Sequence, residues 1–128
     1  MATHYLACDL GADSGRVMLG TLEAGKISLE ELHRFPNGAV KANGSLHWEF
    51  DRLLNELKTG LKKAAAKKLP IAGISTDSWG VDYVLHDEQG QPMPPVWCYR
   101  DPRTAHGVET GAPADQRHIL PPGLGEAW

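Results

Sequence analysis

The stretch Tyr5-Leu6-Ala7-Cys8-Asp9-Leu10-Gly11-Ala12-Asp13-Ser14-Gly15-Arg16-Val17-Met18-Leu19-Gly20 decides the fold. Two apolar runs of strand length, residues 5–8 and 17–19, flank a turn of small residues, and runs bounded in this way fold back as an antiparallel pair. The turn then lies at a sheet end with its backbone open. Gly11 and Gly15 can take positive φ and let an anion approach the chain, while the N–H groups of the turn and the Ser14 hydroxyl make a concave set of donors. Phosphate oxygens fit such a set. Asp9, closing the first run, stands at its edge, where a carboxylate can hold a hydrated Mg²⁺ against the phosphates. The plain alternative is a hairpin loop without a ligand, and this stretch alone does not choose between the two.

The turn lacks the Gly-Lys-Ser/Thr of a Walker loop, and a strand rather than a helix follows Gly15, which excludes phosphate binding at a helix N-terminus. A strand-turn-strand with a leading Asp resembles the first phosphate loop of the superfamily that holds the sugar kinases, actin and the 70-kDa heat-shock proteins.

Composition sets loose bounds around this. The chain has 128 residues, enough for one domain and too few for two ordinary ones; 41% hydrophobic residues and 23% charged residues are those of a globular protein. A net charge of −3 gives no electrostatic case for nucleic acid. The apolar run at the start ends at Asp9, too early for a signal peptide, and no run approaches the roughly 18 residues that cross a bilayer, so a cytoplasmic chain without membrane association is the expectation. Cys8 and Cys98 sit in apolar runs away from any metal-ligand pattern and read as reduced and buried.

Outward from the hairpin, Glu23-Ala24-Gly25-Lys26 reads as a turn and residues 27–35 as a third antiparallel strand, giving a meander. Turn signals at Pro36-Asn37-Gly38 and at residues 41–45 enclose a small hairpin. Residues 51–68 carry Leu54, Leu57, Leu61 and Ala64 or Ala65 at helical spacing, and burying each leucine against the sheet would contribute about 1.5 to 3 kcal/mol. Lysines 58, 62, 63, 67 and 68 form a solvated face, and Pro70 stops the helix. Residues 71–77 then read as a short buried strand, entered through a helix crossover and hence parallel to an earlier strand. Three strands, a helix and a strand in this order predict an α/β, ribonuclease-H-like half-domain.

A second chemical stretch, Asp77-Ser78-Trp79-Gly80-Val81-Asp82-Tyr83, falls at the C-terminal end of that strand, where open α/β sheets place ligands. Trp79 offers an apolar platform for a sugar ring, Gly80 a close backbone and Asp82 an acceptor. The bland reading is a buried Trp at a tight turn with Asp82 capping a loop. Residues 81–86 read as a further strand turned by Asp87-Glu88-Gln89-Gly90, and Arg100, Asp101 and Arg103 follow an apolar run as a cluster of charges, a pattern that often makes only a salt-bridged loop.

Taken together, Asp9-Leu10-Gly11-Ala12, Ser14-Gly15-Arg16, His33-Arg34-Phe35, Asn37-Gly38, Trp48, residues 77–83 and Tyr99-Arg100-Asp101 with Arg103-Thr104 resemble, over about residues 5–104, the N-terminal part of the rhamnulokinase branch of the FGGY carbohydrate kinases. The resemblance implies ATP-dependent phosphorylation of L-rhamnulose at its 1-hydroxyl, with ATP and Mg²⁺ as cofactors. Carried onto this sequence, Ala12, Asp13, Ser14, Gly15 and Arg16 would contact ATP and Asp9 would support the metal. Gly80 would contact the sugar, with Trp79, Asp82, Arg100 and Asp101 as neighbours. The catalytic base of the family lies beyond this stretch, so no residue here takes that role. Residues 1–104 therefore read as a partial kinase domain and 105–128 as an irregular tail, with Gly and Pro recurring and no helical or strand period. A reading-frame shift near residue 105 accounts for that tail, as does a true short variant, and the alternative function is a non-catalytic remnant that binds nucleotide or sugar weakly or associates with another chain.

Overall fold

A computed structural model describes residues 1–105; the expected irregular tail beyond them, and with it the choice between a frame shift and a short variant, lies outside the described residues. β1 (Thr3–Leu10), β2 (Ser14–Glu23) and β3 (Lys26–Pro36) form the expected meander, longer than their apolar runs. Ala24 and Gly25 take φ of 49° and 74° at the β2–β3 turn, the paired left-handed conformation whose twist matches a two-residue hairpin. Asn43 and Gly44, at 51° and 81°, do the same between β4 (Val40–Ala42) and β5 (Ser45–Trp48).

The helix α1 (Phe50–Ala66) crosses over to β6 (Ile71–Ser78), which pairs parallel with β1, so the main sheet has the order β3-β2-β1-β6. The buried stripe of α1 is Leu53, Gly60 and Ala64, with Leu61 packed beside it, while Leu54 is exposed. Of the expected stripe of Leu54, Leu57, Leu61 and Ala64 or Ala65, Leu61 and Ala64 face the core as expected, Leu57 is half-buried, and Leu54 is exposed with Leu53 buried in its place. Gly60 is the reason: a Cβ there would overlap the side chain of Val17, so the helix approaches β2 most closely at the position with no side chain. The lysine face is solvated as expected, with Lys67 reaching Glu30 at 2.7 Å. The helix ends at Ala66, before Pro70, with Lys68 at φ 55° turning the chain.

Two further expectations are corrected. β6 is not buried: it is an edge strand whose residues are mostly exposed, Ile74 among them, and no described strand pairs with its outer edge. Residues 81–86 form no strand. Gly80 and Val81 take φ of 68° and 63°, which breaks extension at its start, and the facing segment carries Pro92, Pro94 and Pro95, which have no N–H to donate to a ladder. Only an isolated bridge between His86 and Pro92 remains, closed by Asp87, whose carboxylate accepts from the N–H groups of Gln89 and Gln91. The apolar run near residue 97 yields the two-residue β7 (Val96–Trp97), which pairs with β5.

The core has two parts. Leu6, Leu19 and Ala64 pack between sheet and helix; Trp48, Val96 and Cys98 pack at the other end, with Ala12 and Trp79 against them. The second cluster therefore supports both chemical stretches from below. Both cysteines are free and buried, and burial pushes the Cys8 thiol up from its ordinary range. Among the described residues no helix is long and apolar enough to cross a membrane.

Candidate functional site

The loop between β1 and β2 closes tightly: the N–H of Gly11 donates to the carbonyl of Ser14 at 2.9 Å. Neither Gly11 nor Gly15 uses positive φ, contrary to expectation. Each is needed for space. A Cβ on Gly11 would sit 2.6 Å from the Ser14 carbonyl oxygen, and one on Gly15 would enter the ring of Phe35 on the neighbouring strand. The backbone N–H groups of Ala12 and Asp13 have no partner among the described residues, so the loop does present free donors.

Asp9 and Arg16 are cross-strand partners, and the Arg16 guanidinium donates through two nitrogens to the same oxygen, Oδ2, of Asp9. Asp9 also stands in register with Asp77 on β6, whose own carboxylate accepts from the Ser78 N–H. Two acids thus meet at one sheet end. Among the described residues no group of three His, Cys, Asp or Glu side chains surrounds a common point.

On the sugar-side stretch, the successive left-handed residues Gly80 and Val81 fold the chain back so that Asp82 lies beneath Trp79. Asp82 Oδ2 accepts from two indoles, Trp79 Nε1 at 2.9 Å and Trp48 Nε1 at 2.6 Å, and the two rings pack with centroids 4.6 Å apart. Trp79 is therefore fixed from below rather than free to swing. A cavity of about 170 Å³ opens beside this group, bounded by Leu10, Phe50, Trp79, Asp82 and Val96.

Arg100 ties the segment after β7 to the β1–β2 loop. Its guanidinium donates to Asp13 Oδ1 at 3.2 Å and lies over the Tyr99 ring, and the Asp13 hydrogen bond holds its pKa above the ordinary arginine value. Asp101 points the other way. It is 2% exposed, with Oδ2 accepting from the Leu46 N–H at 2.5 Å and Oδ1 from the Arg103 N–H at 3.0 Å. Burial alone would raise its carboxyl, but these bonds and the Arg103 side chain together hold it below the usual range.

The structure thus brings residues 11–14, Asp9, Arg16, Trp79, Gly80, Asp82 and Arg100 to one end of the sheet, and turns Asp101 inward. Sequence reasoning used Asn37 and Trp48 in a turn and in the family resemblance and gave neither a role at the site. Trp48 carries no signal beyond its residue type, since its partner lies 34 positions away. Asn37 carries a weak one, an Asn-Gly directly after a strand.

No family model matches the sequence. In fold, the chain is similar to a gluconate kinase from Lactobacillus acidophilus (TM-score 0.66, 12% identity, covering 93% of this chain and 23% of that one). It is similar also to a xylulose kinase from Rhodospirillum rubrum (TM-score 0.65, 18% identity, 91% of this chain and 25% of that one). The fold is that of the sugar kinases of the actin and ribonuclease-H-like class. Within that class the chain is related in sequence to the rhamnulokinases. It is 41% identical over 105 residues to the rhamnulokinase of Bacillus subtilis strain 168, covering 82% of this chain and 22% of that protein. With that of Mannheimia succiniciproducens it shares 49% over 103 residues, covering 79% of this chain and 21% of the other. The chain spans about a fifth of the length of the curated relatives it matches.

Proposed function

We propose that this chain carries the first ATP phosphate loop and part of the sugar-binding face of a carbohydrate kinase whose complete form phosphorylates L-rhamnulose at its 1-hydroxyl. The observation that carries the reading is that the free-amide loop at residues 11–14 and the Trp79–Asp82 group stand at one end of the sheet, with Ala12 and Trp79 packed on the same buried cluster. Phosphoryl transfer asks a protein chiefly to position two substrates and to stabilise charge. An open loop of backbone donors beside a fixed indole supplies part of each.

In this reading Ala12, Asp13, Ser14, Gly15 and Arg16 face the phosphates of ATP, and Gly80 faces the sugar, with Trp79, Asp82 and Arg100 around it. Asp101 supports these from inside, as the cap on which Leu46 and Arg103 converge. Asp9 suits a Mg²⁺ held through water: Arg16 engages only its Oδ2, and its second oxygen is without a partner among the described residues. The metal would neutralise phosphate charge during transfer. A water-excluded cleft needs a second lobe and a base, and in this reading the other four-fifths of the relatives' length supply both.

A second reading, for these 128 residues by themselves, is a non-catalytic remnant that binds nucleotide or sugar weakly or associates with another chain, and the unpaired outer edge of β6 among the described residues favours it. Release of ADP from MgATP, coupled to NADH oxidation, with and without L-rhamnulose, separates the two. The complete form is expected to turn over and the 128-residue chain not; turnover by the short chain would overturn the remnant reading, and a complete form inert on L-rhamnulose would overturn the substrate assignment.

A further inference from the structure

The motif His33-Arg34-Phe35-Pro36-Asn37-Gly38 is left without a role by the reading above, yet its last residues hold the loop that the reading depends on. Asn37 makes four bonds there. Its backbone N–H donates to the carbonyl of Asp13 at 3.0 Å and its side-chain Nδ2 donates to the carbonyl of Gly11 at 2.9 Å. Its Oδ1 accepts from the Gly38 N–H at 2.9 Å and from Arg52 at 3.3 Å. Arg52, in the first turn of α1, is itself fixed by donating to the Pro36 carbonyl at 3.0 Å and to Glu49 at 3.2 Å. Phe35, 2% exposed, fills the space over Gly15 from the same strand end.

Peptide geometry turns these contacts into a statement about the loop. In a trans peptide unit the C=O and the following N–H point in opposite directions. Drawing the Gly11 carbonyl toward Asn37 therefore turns the Ala12 N–H away from β3, and drawing the Asp13 carbonyl does the same for the Ser14 N–H. An anion approaching from that side meets the Ala12 and Ser14 donors and neither the Gly11 nor the Asp13 carbonyl oxygen. We infer that Asn37, braced by Arg52, is a positioning residue that sets the shape of the loop at residues 11–14 so that its amides face a phosphate chain. The inference rests on the phosphate-loop reading of the proposed function for its ligand, and on the contacts alone for the loop's shape.

The test uses the ¹⁵N-labelled 128-residue chain with inorganic tripolyphosphate and Mg²⁺ as the probe. It compares the unsubstituted chain with Asn37→Ala, Arg52→Gln and a control, Leu61→Val, which weakens the core between sheet and helix at a distance from the loop. Two quantities are read well below the melting temperature: the heteronuclear NOE of the Ala12 and Asp13 amides, and tripolyphosphate affinity from their shifts. Asn37→Ala is expected to lower the NOE and to weaken binding about fivefold or more, Arg52→Gln to do so by about twofold, and Leu61→Val to leave both unchanged while lowering the melting temperature. Binding and loop order in Asn37→Ala equal to those of the unsubstituted chain would overturn the inference and leave the proposed function standing. A loop loosened by Asn37→Ala in a chain that binds no tripolyphosphate would support the positioning role and overturn the phosphate reading.

Discussion

Trp48 donates its indole N–H to Asp82 at 2.6 Å across 34 residues of sequence, on the same carboxylate oxygen that accepts from Trp79. One acid thus ties the end of β5 to the loop after β6. That makes Asp82 a structural anchor of the sugar-side stretch as well as a polar group within it.

Replacing Asp82 by Leu removes the acceptor from two partly buried indoles, at a cost of about 1 to 3 kcal/mol, since an unmade bond to a buried donor costs its desolvation. For a domain of this size the melting temperature should fall by at least about 4 °C. Asp82→Asn keeps one carbonyl oxygen and should cost less. Thermal melts followed by near-UV circular dichroism check this, and an unchanged melt in Asp82→Leu would show that the paired indole bonds add nothing.

Gly60 makes a prediction of opposite sign to helix propensity. Ala in place of Gly within a helix is worth about 1 kcal/mol by itself. Here the added Cβ would overlap Val17, so Gly60→Ala should destabilise the chain by about 1 to 3 kcal/mol in urea titration. Combining it with Val17→Ala should recover part of the loss relative to the sum of the two single changes, the signature of direct contact.

Asp101 gives a pH dependence. Its folded-state pKa is lowered, whereas an unfolded Asp titrates near about 3.9, so its bonds to Leu46 and Arg103 stabilise the fold above that value. The contribution is lost as pH falls through about 4 toward the lower folded-state value. Urea midpoints measured from pH 6 to pH 3 should fall more steeply for the unsubstituted chain than for Asp101→Asn. Parallel curves would contradict the assignment.

The parts of the fold set by local chemistry were legible in the sequence. The meander followed from strand-length apolar runs and turn residues, and β6 followed from a helix crossover, which forces a parallel pair. What could not be read was where surfaces meet. The stripe of α1 was read rightly at Leu61 and Ala64 and wrongly at Leu54, because Gly60, which looks like a weakness in a helix, is the point of closest approach to Val17. β6 looked buried because Ile71 and Ile74 are apolar, yet it lies at the sheet edge. At the candidate site, the turn between β1 and β2 was legible from its small residues and their spacing, but its glycines serve space and not positive φ. The partners of Asp82 and Asn37 come from distant positions, and no local pattern announces such contacts.

The most direct measurement of the central claim, that residues 11–16 form an ATP phosphate loop, is a titration of the ¹⁵N-labelled chain with MgATP. The account predicts shifts that saturate in the millimolar range and concentrate on the amides of Gly11, Ala12, Asp13, Ser14 and Gly15, with adenosine alone producing none there. Shifts absent from that loop, or reproduced by adenosine without phosphate, would contradict it.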